Sequence, residues 1–187
     1  MDDPLADELR NHRTDDGLGR TDYLLIIADE HVRARRPERA VAIWQQLISE
    51  GGPPADEARV DYADFLFDEG RDKEARDEFE AVMAGGSIYS FAWGRAAEIL
   101  EVRGEFDEAL RWYELVAERM TAADVIDTHR VRDLLSGRRR VKWKLRLPFD
   151  GIDLLVPAGE EEERERAAEL RDLLRTPAVN EKPLAMA

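Results

Sequence analysis

Small and large apolar residues recur along the chain at a fixed distance. Three pairs of an alanine and a large aromatic residue four positions later start 35 and then 34 residues apart. These pairs are Ala40 with Trp44, Ala75 with Phe79, and Ala109 with Tyr113. Residues four apart share one face of an α-helix. A period near 34 residues predicts a stack of repeated helix pairs.

A second set of small residues precedes each of these pairs. Two helices approach to about 8–10 Å only where the residues at their crossing are small. Ala28, Ala63 and Ala97 fit such crossings. Gly70 and Gly104 fit the positive φ that often ends a helix. Each repeat is therefore predicted to be two antiparallel helices joined by a short turn.

These residues at this spacing resemble the tetratricopeptide repeat family over about residues 21–120. The resemblance implies an all-α fold, an α-α superhelix or solenoid whose first helices line a concave groove. Helix pairs are expected at about 21–34 with 37–50, 56–69 with 72–84, and 88–103 with 106–119.

The rest of the chain is expected to form the ends of this solenoid. Residues 1–20 are predicted to be a flexible arm and residues 176–187 a tail. Residues 121–175 are predicted to contain capping helices, because a solenoid buries its apolar face only on neighbouring units. One helix is expected at about 122–137 after a capping box at Thr121 to Asp124. An extended segment over 145–157 and a helix at about 160–175 follow.

The resemblance also implies which residues contact a partner. Carried onto this chain, those positions include Leu25, Asp29, Val32, Val60, Asp64, Phe67, Asp68, Glu98 and Glu101. One acid per repeat, namely Asp29, Asp64 and Glu98, would line the groove. An acidic groove with apolar pockets favours a basic or amphipathic segment of another protein. The competing interpretation is that these acids only keep an acidic protein soluble. The acids also argue against the carboxylate clamp of the family's chaperone adaptors.

One segment reverses the overall charge. The formal net charge of the chain is −14, which disfavours nucleic acid over most of the surface. A polyanion could nevertheless be contacted by a basic segment comprising Arg138, Arg139, Arg140, Lys142, Trp143 and Lys144. A regulatory module of that kind is the alternative function. Against it, Val141, Trp143, Leu145 and Leu147 alternate with basic residues, a strand pattern with one buried face. The basic side chains could equally pair with the acidic run at 160–163.

The sequence contains few of the residue patterns that are typical of catalytic sites. The chain has no cysteine, and its histidines, His12, His31 and His129, lack metal-ligand spacing. No phosphate-cradling glycine loop is present. We expect a non-enzymatic protein without cofactor or metal. Self-association through an exposed end of the stack is a third possible role. No apolar run approaches the ~20 residues that span a bilayer, so a cytoplasmic location is expected. The residue bias is typical of high-GC bacteria.

Overall fold

The computed structural model describes residues 19–85, 91–118 and 129–175. The chain divides into two compact units, Met1–Met120 and Thr121–Ala187. In the described part of the first unit the helices are α1 (Arg20–Arg33), α2 (Pro37–Glu50), α3 (Pro53–Asp68), α4 (Asp72–Gly85), α5 (Phe91–Val102) and α6 (Phe106–Ala117). The second contains α7 (His129–Lys144), a 3₁₀ turn (Asp153–Leu155) and α8 (Glu160–Arg175). The arm predicted at 1–20 lies almost wholly outside these ranges, as do the tail and the capping box.

Prolines mark the start of two helices. Pro37 opens α2, and Pro53 with Pro54 opens α3. Proline suits a first helical turn because the N–H that it lacks would have no partner within the helix there. The proline pair starts α3 three residues before the predicted position 56. The remaining helices of the first unit lie within about three residues of their expected bounds.

The repeated alanines and aromatic residues form the core of the first unit. All six crossing alanines are fully buried, namely Ala28, Ala40, Ala63, Ala75, Ala97 and Ala109. Trp44, Phe79 and Tyr113 are also buried. Each first helix packs on its second helix, and first helices of successive pairs contact one another. The all-α superhelical arrangement predicted for the repeats is therefore confirmed.

Two arginines join the second pair of helices to the third around one phenylalanine. The guanidinium carbon of Arg103 lies 4.8 Å from the ring centre of Phe67, and that of Arg76 lies 5.7 Å from it. Arg103 Nη2 donates to Asp68 Oδ1 at 2.6 Å, and Arg76 pairs with Glu105 and Glu108. Phe67 also makes an edge contact with Phe79. The ends of α3 and α5 are consequently held together by charge and by aromatic packing.

The basic segment is helical, so the strand predicted there is wrong. It forms the last turns of α7, which continues to Lys144 and does not end near 137 as expected. The expected start near 122 lies outside the described residues. Buried residues occur along α7 at positions 135, 138, 139 and 142, the spacing of one helix face. Three of these buried residues are basic. The apolar residues alone, which alternate from Val141 to Leu147, therefore wrongly predicted a strand. Residues 145–157 contain turns and the 3₁₀ turn in place of the expected extended segment.

Four helices end in the same way, although two of them lack the expected glycine. Gly70 and Gly104 have φ of 71° and 79°, as predicted, and Arg35 and Arg146 adopt φ of 58° and 57° at equivalent places. After α1, for example, Arg35 N donates to Val32 O at 2.9 Å and Arg36 N to His31 O at 2.9 Å. This double hydrogen bond is a Schellman motif. An L side chain in this conformation is strained.

Replacing Arg35 with glycine should stabilise the protein. We expect Arg35→Gly to raise the free energy of unfolding by about 0.5–1 kcal/mol, because the left-handed strain is relieved. Urea denaturation followed by circular dichroism measures this change. The matched control is Gly70→Ala, where an added Cβ meets no atom within 4 Å. It should destabilise the fold by about 1 kcal/mol; a loss of stability in Arg35→Gly would refute the strain at this turn.

Candidate functional site

Carboxylates from two first helices gather on one side of the repeats. Asp29 lies on α1, and Glu57, Asp61 and Asp64 lie on α3. Arg95 approaches from α5, the first helix of the next pair, with Nε 3.9 Å from Asp61 Oδ1 and Nη2 3.8 Å from Asp64 Oδ2. We call these five residues the acidic face. They come together because α3 contacts both α1 and α5.

Asp61 occupies the centre of the acidic face. Its side chain is 30% exposed. Burial raises the pKa of Asp61 to about 6; Asp64, Glu57 and Asp29 also raise it, and Arg95 opposes them. The distance to Arg95 is too long for a hydrogen bond, so this arginine offsets the clustered negative charge only in part. The acidic face therefore carries a carboxylate that is costly to ionise.

The acids predicted to line the groove each have a partner within the chain. Asp29 pairs with Arg33 at 2.6 Å, an exposed pair one turn along α1. Asp64 and Asp68 both accept hydrogen bonds from Arg103, at 2.9 and 2.6 Å. Two further acids lie on α5, where Glu98 is half-buried and Glu101 accepts a hydrogen bond from the Tyr113 hydroxyl at 2.7 Å. Exposed pairs such as Asp29 with Arg33 contribute little energy and leave the acid accessible.

Two of the predicted apolar contacts lie in the core. Val60 is fully buried and Phe67 is 6% exposed, because both fill space between packed helices. Leu25 and Val32 are half-buried on α1. More accessible apolar residues lie one turn away from acids on the same helices. Ile26 is 45% exposed and precedes Asp29 by three positions, and Val102 is 88% exposed and follows Glu98 by four.

Asp61 and Arg95 were not among the partner contacts predicted from the sequence. A signal for Asp61 was nevertheless present, because Glu57, Asp61 and Asp64 are spaced by four and three residues. This spacing places them along one side of a helix. Arg95 had no comparable signal, since its approach to α3 depends on how two helices distant in sequence are packed.

Comparison with known proteins identifies the repeats. Residues 27–87 match a family model described as tetratricopeptide repeat. Residues 27–87 are therefore tetratricopeptide repeats. No curated protein and no solved structure matches the chain. The matched residues cover α2, α3 and α4 completely and the second half of α1. They therefore include the three carboxylates that α3 contributes to the acidic face.

The described residues were also compared with the requirements of a metal site and of a membrane-spanning helix. Within residues 19–85, 91–118 and 129–175, no group of three or more His, Cys, Asp or Glu side chains is arranged to hold a metal ion. None of the helices in these ranges has the length and apolar character needed to cross a membrane. His31, which was expected to fill a packing position, is buried.

In the second unit, the basic segment forms a buried ion network. Asp153 is completely buried and accepts hydrogen bonds from Arg138, from Lys142 Nζ at 2.7 Å and from the Asp150 amide at 2.9 Å. Arg138 Nη2 also donates to Asp150 Oδ2 at 2.7 Å. This hydrogen bond from Arg138 is the main reason that the pKa of Asp150 is well below its usual range.

Arg139 joins the same helix to α8. It donates twice to Glu162, at 3.0 and 2.8 Å, and its remaining nitrogen donates to the Val156 carbonyl at 2.7 Å. Its guanidinium lies 4.8 Å from the ring centre of Phe149. Paired planar donors and acceptors of this kind are strong and geometrically specific. Pairing of the basic segment with the acidic run at 160–163 was one expectation from the sequence, and Arg139 with Glu162 is such a pair.

Trp143 and its neighbours line an open cleft of about 480 Å³ between α7 and α8. Lys144 Nζ lies 4.7 Å from the indole and donates to Glu161 at 2.8 Å. Arg146 stacks at 5.6 Å from the indole and pairs with Glu165. Both cations therefore have an acidic partner in the cleft, while Arg140 is exposed on α7.

Removing the buried carboxylate of Asp153 should destabilise the second unit. We expect Asp153→Ala to cost about 3 kcal/mol, because Arg138 and Lys142 would stay buried with only the half-exposed Asp150 as a shared counter-charge. Hydrogen exchange of amides in 129–162, followed by mass spectrometry, reports this unit directly. Asp133→Ala, an exposed acid on the same helix, is the charge-matched control and should leave exchange unchanged. Equal protection in Asp153→Ala and wild type would contradict a structural role for the network.

Proposed function

We propose that this tetratricopeptide repeat protein is a non-catalytic adaptor or scaffold whose acidic face binds a basic or amphipathic segment of another protein. Family membership supports protein–protein interaction as the general role. The observation that carries the finer proposal is the state of Asp61. This carboxyl, whose pKa is raised to about 6 mainly by burial, lies among three other acids, with Arg95 beyond hydrogen-bond distance.

A cationic side chain from a partner would relieve this potential. Arg95 lies 3.8–3.9 Å from the two central carboxylates and is itself 46% exposed, so its position leaves room for a second cation. A partner arginine could form charge-assisted hydrogen bonds at 2.7–2.9 Å, which are about twice as strong as neutral ones. The negative face would also speed the encounter with a basic segment.

The exposed apolar residues favour an amphipathic ligand. Ile26 lies beside Asp29 on α1, and Val102 lies beside Glu98 on α5. A helical segment with arginines and leucines on adjoining faces could place cations near Asp61 and apolar side chains on these two residues. Leu25 and Val32 add partly accessible apolar area on α1. In this proposal Ile26 and Val102 take the place of the buried Val60 and Phe67 as apolar contacts.

The polyanion alternative has weaker support. Arg138, Arg139 and Lys142 are each 6–7% exposed and donate to carboxylates of their own unit. Binding a phosphate would require breaking these buried pairs, which is costly. Of the basic residues at 138–144, only Arg140 and Lys144 are exposed. Lys144 is paired with Glu161.

A synthetic peptide tests the protein-binding proposal. The probe contains only arginine, leucine and alanine with blocked termini, arranged as an amphipathic helix, and its affinity is measured by calorimetry at about pH 7.5. Asp29→Asn combined with Asp61→Asn should weaken binding about tenfold, equivalent to about 1.4 kcal/mol, because two attractive charges are lost. Higher salt should weaken binding to the wild type.

The control changes the same number of charges elsewhere. Glu38→Gln combined with Glu80→Gln removes two exposed acids from the second helices α2 and α4. This variant should retain the wild-type affinity within about twofold, as expected for distant charges screened by salt. Equal weakening in both double variants would show that net charge alone attracts the peptide. Full affinity in Asp29→Asn/Asp61→Asn would exclude the acidic face as the binding site.

A further inference from the structure

We infer that binding of a cationic partner at the acidic face is coupled to loss of a proton from Asp61, so that acidification releases the partner. This inference rests on the proposed function and concerns its regulation. It assigns Asp61 the role of a proton-linked switch within the binding surface.

The position of Asp61 differs from the positions of Asp29 and Asp64. Asp64 accepts a direct hydrogen bond from Arg103 at 2.9 Å, and Asp29 pairs with Arg33 at 2.6 Å. Asp61 has Arg95 at 3.9 Å, beyond the range of a hydrogen bond. Its carboxyl is also the least exposed of these three, at 30% against 34% and 54%. Protonation of Asp61 therefore disrupts no hydrogen bond from the arginines of the face.

The charges that act on Asp61 come from three helices. Asp29 of α1 and Glu57 and Asp64 of its own helix favour the protonated form, and Arg95 of α5 favours the ionised form. The other two helices packed on α3 contribute differently. Glu78 of α4 is already paired with Arg59, and α2 packs against α3 through the ring of Trp44. Together with burial, which is the largest cause, these charges raise the pKa of Asp61 to about 6, so the carboxyl takes up a proton just below neutral pH.

A partner cation would favour the ionised form of Asp61, as Arg95 does. An arginine placed within hydrogen-bond distance of Asp61 stabilises the ionised carboxylate, which lowers the pKa in the complex. The proton passes to the solvent when the cation binds. By linkage, protons must then weaken binding of the cation to the same extent. The arginine of the partner keeps its own charge over this pH range, so the pH dependence comes from the face.

Affinity of the peptide probe as a function of pH tests this coupling. With a pKa of about 6 in the free protein, affinity should fall about tenfold between about pH 7.5 and about pH 5. Calorimetry in two buffers of different ionisation enthalpy should show release of about half a proton per complex near pH 6. Circular dichroism at both pH values verifies that the fold is retained.

Three variants separate the coupling from general acid effects. Asp61→Asn mimics the protonated carboxyl, so it should bind more weakly than wild type at about pH 7.5, with a flat profile and no proton release. Arg95→Gln should move the midpoint to higher pH, because the residue that favours ionisation is removed. Glu80→Gln, on α4, should behave as wild type.

The outcomes distinguish the coupling from the proposed function. Tight wild-type binding with a flat pH profile and no proton release would overturn the coupling and leave the binding function intact. A profile that persists unchanged in Asp61→Asn would also overturn it, since another group would then be responsible. Failure of the wild type to bind at about pH 7.5 would instead overturn the proposed function itself.

Discussion

The close crossing of helices at alanine is the constraint on which the first unit depends. Ala28, Ala63 and Ala97 are fully buried on the first helices, and a larger side chain at these crossings would force the helices apart. Because α1, α3 and α5 lie beside one another, charges separated by more than thirty residues in sequence share one surface. Asp29, Asp61 and Arg95 interact for this reason. The electrostatic character of the acidic face therefore follows from uncharged residues in the core.

The second unit meets the same need for a stable interior by other means. Leu135, Val141 and Val156 are its buried large apolar residues among those described, and Asp153 lies beside them with Arg138 and Lys142. Buried ions are costly unless they are paired and fully hydrogen-bonded. Here the carboxylates come from the segment just after the helix that carries the cations. The basic segment, which looked like a surface for polyanions, is thereby accounted for largely as internal structure.

The parts of this protein that could be predicted from sequence are those governed by short-range spacing. The alanine and aromatic positions gave the helix pairs, because a helix repeats every 3.6 residues whatever its neighbours are. Val60 and Phe67 were misplaced because their exposure depends on packing across helices. Arg138, Arg139 and Lys142 were misread because a buried basic residue is invisible to a hydrophobic pattern. Asp61 was missed because its raised pKa requires three helices to be assembled.

Direct titration of Asp61 tests the central claim, that the packing of α1, α3 and α5 buries this carboxyl among other acids, with only Arg95 opposing the rise in its pKa. The ¹³C chemical shifts of the aspartate carboxyl groups, assigned with the Asp61→Asn variant, would be followed by NMR from about pH 3 to about pH 8 in the free protein. The account predicts a midpoint of about 6 for Asp61. A midpoint near the ordinary aspartate value of about 3.9 would contradict it, because burial and the neighbouring acids would then not disfavour the ionised form.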